Sequence, residues 1–169
     1  MCDMRNTIVL VRHSTAERFS ANGDLGRALT PEGQEQAIEL GKLLVKELGP
    51  SVDCLVASHA VRAQETADAI GQNLKIENLW MDRAIYDSDV DSLREIVHSC
   101  ERKTLVIVGH EPTISVFAAA LICDDCPGRE LVYGGVPTAS AIVLKTDLPF
   151  DQVCCGSCDL EAFLHAEIG

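Results

Sequence analysis

Short apolar runs alternate along this chain with longer stretches in which apolar residues return every third or fourth position. Thr7–Val11, Cys54–Ser58 and Thr104–Val108 are nearly unbroken and apolar, the pattern of strands buried on both faces of a sheet. Leu74–Trp80 predicts a further strand, and Ala139–Leu144 and Gln152–Cys155 predict later, peripheral ones. Between the first two runs, Ala37, Leu40, Gly41, Leu44, Val45 and Leu48 form one apolar helical face. Thr30-Pro31-Glu32 opens that helix with an N-cap, a proline at the first helical position and an acid in the first turn, and Gly49-Pro50 closes it. A second helix is expected from about Ser58–Ala60 to Gln72. A third runs over Asp91–Cys100 with Leu93, Ile96 and Val97 inward, and a fourth begins with Pro112 at its first position and runs through Ile122. The polar, glycine-bearing segment Thr15–Leu29 reads as a loop. Strands alternating with helices predict an α/β fold: a three-layer sandwich with a mostly parallel central sheet and helices on both faces.

Length and charge narrow this picture. At 169 residues the expectation is one domain over positions 1–169, and 47% apolar with 24% charged residues is an ordinary globular balance. A net charge of −12 argues against nucleic acid and against an anionic membrane as partners. No targeting segment is recognised and no apolar run is long enough to span a bilayer, so the expected location is cytoplasmic. Of eight cysteines, Cys2, Cys54 and Cys100 are scattered, while Cys123/Cys126 and Cys155/Cys158 form CxxC pairs. The 28 residues between those pairs (127–154) exceed the usual zinc-ribbon spacing of about 15–20, so free thiols are expected, with metal binding by the pairs left open.

The chemistry gathers at the carboxyl ends of the predicted strands, where open α/β sheets bind their ligands. Arg12 and His13 follow the first strand, Arg62 falls in the first turn of the helix after the second, and His110 follows the fourth. Three strand-to-helix junctions that each carry a cationic or potentially cationic side chain predict an anion pocket, assisted by helix N-termini. Arginine suits phosphate because its planar fork donates in pairs.

These residues also carry a family resemblance. Leu10-Val11-Arg12-His13-Ser14, Leu29-Thr30-Pro31-Glu32-Gly33-Gln34, Ser58-x-x-x-Arg62-Ala63-x-x-Thr66-Ala67 and Val108-Gly109-His110-Glu111-Pro112-Thr113 resemble the hallmark blocks of the histidine phosphatase (phosphoglycerate mutase-like) superfamily, in the family order. The small size resembles the SixA-type phosphohistidine phosphatases. The resemblance implies His13 as a nucleophile that becomes phosphorylated, and Arg12, Arg62 and His110 as its phosphate pocket. It implies no metal or other cofactor, since side chains supply the positive charge. Ser14 stands where the family has glycine, Glu65 where it often has glutamine, and His59 where proline is frequent; His59 is expected to face solvent at the mouth of the site.

The resemblance implies a carboxylate after the second helix as proton donor, which puts Asp82 first; Glu111, adjacent to His110, is the runner-up. Asp87, Asp89 and Asp91 read instead as a solvated loop and helix start. About forty residues separate Arg62 from the fourth strand, too few for a helical lid over small metabolites. The expected substrate is therefore phosphohistidine on a phosphotransfer protein. The alternative is a small phosphorylated metabolite, handled by a phosphomonoesterase or a mutase-like enzyme.

Overall fold

The structure, a computed structural model, describes residues 5–168; Cys2 lies outside them. Six strands form one sheet in the order β3-β2-β4-β1-β5-β6, with β1 Asn6–Arg12, β2 Ser51–Ser58, β3 Lys75–Asp82, β4 Thr104–Gly109, β5 Ser140–Thr146 and β6 Asp159–His165. The pairs β3–β2, β2–β4 and β4–β1 are parallel, and β5 runs antiparallel to both neighbours. The helices are α1 Pro31–Leu48, α2 Val61–Ile70, α3 Val90–Ser99 and α4 Thr113–Leu121. The expected mostly parallel α/β sandwich is the observed architecture.

Alternation along the central strands explains the layers. In β1, Val9 and Val11 face one side with Leu40 and Leu44 of α1 and Ala63, Ala67 and Ile70 of α2. Ile8 and Leu10 face the other with Leu93 and Val97 of α3 and Ile114, Phe117 and Leu121 of α4. Both apolar sets are shielded from water, the main favourable contribution to folding. A sheet covered on both faces is what unbroken apolar strands require.

The start of α1 forms as its sequence predicts. Thr30 Oγ1 accepts from Gly33 N at 2.9 Å, and Pro31 occupies the first turn. Such a cap contributes about 1 kcal/mol. It also fixes the chain beside the first strand, because Thr30 N donates to the Thr15 carbonyl at 3.0 Å.

Three expectations are corrected. Gln152–Cys155 is not a strand: Phe150–Gln152 is a short 3₁₀ turn, and the edge strand lies further on at Asp159–His165. Val153 after that turn is buried while Cys154 and Cys155 are exposed, so the segment's apolar content is met without strand pairing. β5 is not peripheral, since it is buried between β1 and β6. Pro112 precedes α4 as its cap rather than opening it, and the helix starts at Thr113.

One close contact ties this frame to the site. A Cβ on Gly33 would lie 2.0 Å from the Thr15 carbonyl oxygen, a backbone atom that cannot swing aside. Gly33→Ala is therefore expected to lose about 1–3 kcal/mol in urea unfolding through overpacking. Unchanged stability would show that the loop yields at no cost.

Candidate active site

The parallel register decides which side chains meet. Arg12 pairs with Gly109 across β1 and β4, and His13 N donates to the Gly109 carbonyl at 3.1 Å. The next residue on each strand is therefore a histidine, and the rings of His13 and His110 lie with centroids 5.3 Å apart. β2 ends at Ser58, and α2 starts three residues later and carries Arg62 in its first turn. Arg12, His13, Arg62 and His110 thus line one cavity of about 340 Å³, with Thr15, Arg27, Glu111 and Thr138 among the other lining residues.

The hydrogen bonds set the protonation of both rings. His13 Nδ1 lies 2.7 Å from the Ser14 carbonyl oxygen, which can only accept, so Nδ1 carries the proton and Nε2 keeps its lone pair. Arg62 Nη2 lies 3.4 Å from His110 Nδ1, and a guanidinium can only donate. His110 therefore carries its proton on Nε2, which donates to Ser58 Oγ at 2.8 Å. Burial pushes the His13 pKa down to about 4, against the Ser14 hydrogen bond and with help from the charges of Arg62 and Arg12. Burial likewise takes His110 down to about 3, aided by His13 and Arg62. Both imidazoles are neutral at physiological pH, so His110 serves as a neutral hydrogen-bonding group and not as a standing cation.

The cations are held firmly. Arg12 Nη1 donates to the Val136 carbonyl at 2.7 Å. Arg62 is almost fully buried and donates through Nη1 to the Asp24 carbonyl at 2.9 Å and through Nη2 to Asp24 Oδ2 at 3.1 Å. The Nε groups of Arg12 and Arg62 are buried and bond to no protein acceptor among the described residues. Cavity-lining guanidinium groups with spare buried donors suit a tetrahedral oxyanion.

The loop Thr15–Leu29 contributes residues that pattern reasoning did not single out. Asp24 anchors Arg62, accepts from Arg27 Nε at 3.0 Å and from the Tyr86 hydroxyl at 2.5 Å. That Tyr86 bond, with the Arg27 and Arg62 contacts, holds its carboxyl down at about 2, so it stays ionised. Arg27 adds a further guanidinium to the cavity wall. The available signal was a pair of opposite charges inside a glycine-bearing loop beside the first strand.

The substituted family positions find local roles. Ser14 is buried and its hydroxyl donates to the Gly33 carbonyl at 2.6 Å, while its N–H donates to Thr66 Oγ1 at 3.0 Å. Glu65 accepts from Leu29 N at 2.8 Å, pinning the end of the loop. His59 is half-buried and packs edge-on against Tyr86, not outward into solvent as expected. Asp89 caps α3 by accepting from Ser92 N at 2.9 Å, in keeping with a helix start.

The two carboxyl candidates separate clearly. Glu111 reaches the cavity while its oxygens accept from Ser115 N and Val136 N, both at 2.9 Å. Asp82 accepts from Ala84 N at 2.9 Å and lines a different cavity beside Trp80 and Cys100.

Comparison with known proteins identifies the family. The family profile of the histidine phosphatase superfamily (branch 1) matches residues 8–85. A phosphohistidine phosphatase SixA homolog of Haemophilus influenzae is 34% identical over 126 residues, covering 68% of this chain and 76% of that protein. The fold is shared with the putative phosphohistidine phosphatase SixA of Nakamurella multipartitia, at TM-score 0.84 and 24% identity over 97% of this chain and 98% of that one. It is shared too with a phosphoglycerate mutase of Plasmodium falciparum, at TM-score 0.67 and 22% identity over 99% and 96% of the respective chains. The chain belongs to the histidine phosphatase superfamily. Its activity is that of a phosphatase.

The neutral histidines make stability depend on pH. An imidazole with a folded pKa below its unfolded value lets the unfolded chain bind protons preferentially, so its contribution is intact above about pH 6.5 and is lost as pH falls toward about 4. The urea midpoint of the wild type is expected to drop across that interval, and His13→Gln should flatten the decline. Parallel pH profiles for the two proteins would show that His13 does not titrate as described.

Proposed function

We propose that this protein is a metal-independent phosphatase that works through a phosphohistidine at His13 and removes phosphate from phosphohistidine of a phosphotransfer protein. The observation that carries the reading is the Nδ1–H bond from His13 to the Ser14 carbonyl, which leaves Nε2 unprotonated among the cavity's guanidinium groups. Nε2 attacks phosphorus, the bond to the leaving group breaks, and the leaving group departs with a proton. Water then attacks the phosphorus of the His13 adduct, releasing inorganic phosphate and restoring the imidazole. Arg12, Arg27 and Arg62 balance the charge spread over the equatorial oxygens, where a preorganised clamp contributes most. That charge is supplied without a metal ion.

Several observations favour a protein substrate. The segment between α2 and β4 is taken up by β3 and α3, leaving little for an insertion over the cavity. Beside the catalytic cavity, and sharing Arg12 and Glu111 with it, lies a largely apolar hollow of about 870 Å³ bordered by Val116, Val132, Tyr133 and Pro137. Tyr133 and Val116 are exposed there, in reach of residues flanking a phosphorylated side chain. The relative from Haemophilus influenzae carries the name of a phosphohistidine phosphatase. A cytoplasmic location belongs to this proposal, because reducing conditions keep cysteines as thiols.

Glu111 is assigned as the proton donor in preference to Asp82, because it lines the catalytic cavity and Asp82 does not. A leaving imidazole has a pKa near neutrality and needs little acid help, whereas a leaving alkoxide needs much. Glu111→Gln is accordingly expected to slow alkyl phosphate hydrolysis by about 10²–10⁴-fold and to affect phosphohistidine hydrolysis far less. Asp82→Asn should leave both rates unchanged. The opposite ranking, in variants shown by circular dichroism to be folded, would transfer the donor role to Asp82.

A panel of phosphohistidine protein, sugar phosphates and glycerate phosphates tests the larger claim. The phosphoprotein should give the highest kcat/KM, EDTA should change nothing, and His13→Ala should abolish turnover of every substrate. Rapid quenching should trap an acid-labile phosphoryl label on the wild type that is missing from His13→Ala. Preference for a metabolite would favour the phosphomonoesterase reading, and residual turnover without His13 would overturn the mechanism.

A further inference from the structure

Far along the chain from the catalytic residues, the end of α4 and the start of β6 bring two thiols and a carboxylate together. Cys123 Sγ, Cys126 Sγ and a carboxylate oxygen of Asp159 all lie within 4.8 Å of one another. We propose that Cys123, Cys126 and Asp159 form a binding site for a thiophilic divalent cation of the zinc class, with water completing the coordination. The site differs from the one the cysteine spacing suggested. Cys155 and Cys158 do not join the cluster; Cys155 is exposed and Cys158 is buried apart from it.

Geometry and chemistry both support the site. Ligand atoms around tetrahedral zinc stand about 3.5–3.8 Å apart, and the edge from Cys123 Sγ to Asp159 Oδ1 is already 3.5 Å. Thiolates select zinc-like cations over calcium or magnesium. Asp159 is oriented from behind by Arg5, whose Nη1 donates to Oδ2 at 2.8 Å and leaves Oδ1 for a metal. Cys126 Sγ accepts from the backbone N–H of Leu160 at 3.2 Å, which holds the sulfur in place. Ligands supported in this way by outer partners are the usual arrangement of protein metal sites.

The backbone under these ligands is also fixed. Cys123 N donates to the Cys158 carbonyl and Cys158 N to the Leu121 carbonyl, both at 2.9 Å, so the two ligand-bearing segments are stitched side by side. Little chain ordering is left to oppose binding. In the metal-free protein the Cys123 thiol points its proton at Asp159 and the Cys126 thiol at the Pro127 carbonyl. Binding releases both protons to solvent and forms two metal–sulfur bonds and one metal–oxygen bond. The three negative charges of two thiolates and a carboxylate are then balanced by the dication and Arg5.

A cobalt titration of fully reduced protein tests this. One equivalent should bring up thiolate-to-cobalt charge-transfer absorption with tetrahedral d–d bands, and zinc should abolish both. Cys123→Ser/Cys126→Ser should lose the charge-transfer band while keeping wild-type phosphatase activity, since neither cysteine lines the catalytic cavity. Asp159→Asn should weaken binding, and Arg5→Ala should weaken it by about tenfold through loss of the orienting bond. Zinc should raise the melting temperature of the wild type and not of the double variant, because only a native-state ligand stabilises. Absence of a charge-transfer band in the wild type would overturn the proposal. So would a band that survives the double substitution and vanishes in Cys154→Ser/Cys155→Ser/Cys158→Ser.

Discussion

Guanidinium groups drawn around one small cavity repel one another, and any further positive charge there is costly. That constraint governs the site. A histidine can join such a cluster only as a neutral ring, and both His13 and His110 are kept neutral by burial, with the arginine charges acting in the same direction. The Ser14 carbonyl opposes that shift for His13 but decides which nitrogen bears the proton. Asp24 answers the remaining repulsion by bonding to Arg62 and Arg27 from a partly exposed loop. An anion entering the cavity therefore meets a neutral ring with an unprotonated Nε2 in place of an imidazolium.

The fold holds this arrangement through strand register. β1, β4 and β2 run in parallel, so their carboxyl ends lie side by side and the residues that follow them converge. Short junctions into α2 and α4 leave those residues little freedom. α1 adds a second brace: Gly33 meets the backbone of Thr15, and the hydroxyl of Ser14 bonds to the Gly33 carbonyl. The departure from glycine at position 14 is thus absorbed by a bond that glycine could not make.

Most of this frame was legible in the sequence where the signal was local and repetitive. Buried parallel strands announce themselves as unbroken apolar runs, and the capped start of α1 is written in Thr30-Pro31. Arg12, His13, Arg62 and His110 could be grouped because each follows a strand whose direction was predictable. The parts that escaped depend on contacts between distant segments. Asp24 and Arg27 sit in a loop without periodicity, and only the folded chain shows them facing Arg62 and the cavity. Position along the chain ranked Asp82 ahead of Glu111, but an edge strand carries Asp82 to another hollow. β6 was missed because it is a half-exposed edge strand with charged residues near its start, without the continuous apolar run that marks the interior ones.

β5 enters the sheet against the direction of its neighbour β1. An antiparallel strand begins where its parallel neighbours finish, so the segment leading into it must pass the rim where they end. Here that segment supplies Tyr133, Val136 and Thr138 to the two hollows, and Ala139 N bonds to the His13 carbonyl. Arg12, His13, Arg62 and His110 are carried at or just beyond the ends of β1, β2 and β4, while much of the surface beside them belongs to a single connecting stretch. Changes confined to that one stretch therefore reshape the neighbouring hollow while leaving Arg12, His13, Arg62 and His110 in place.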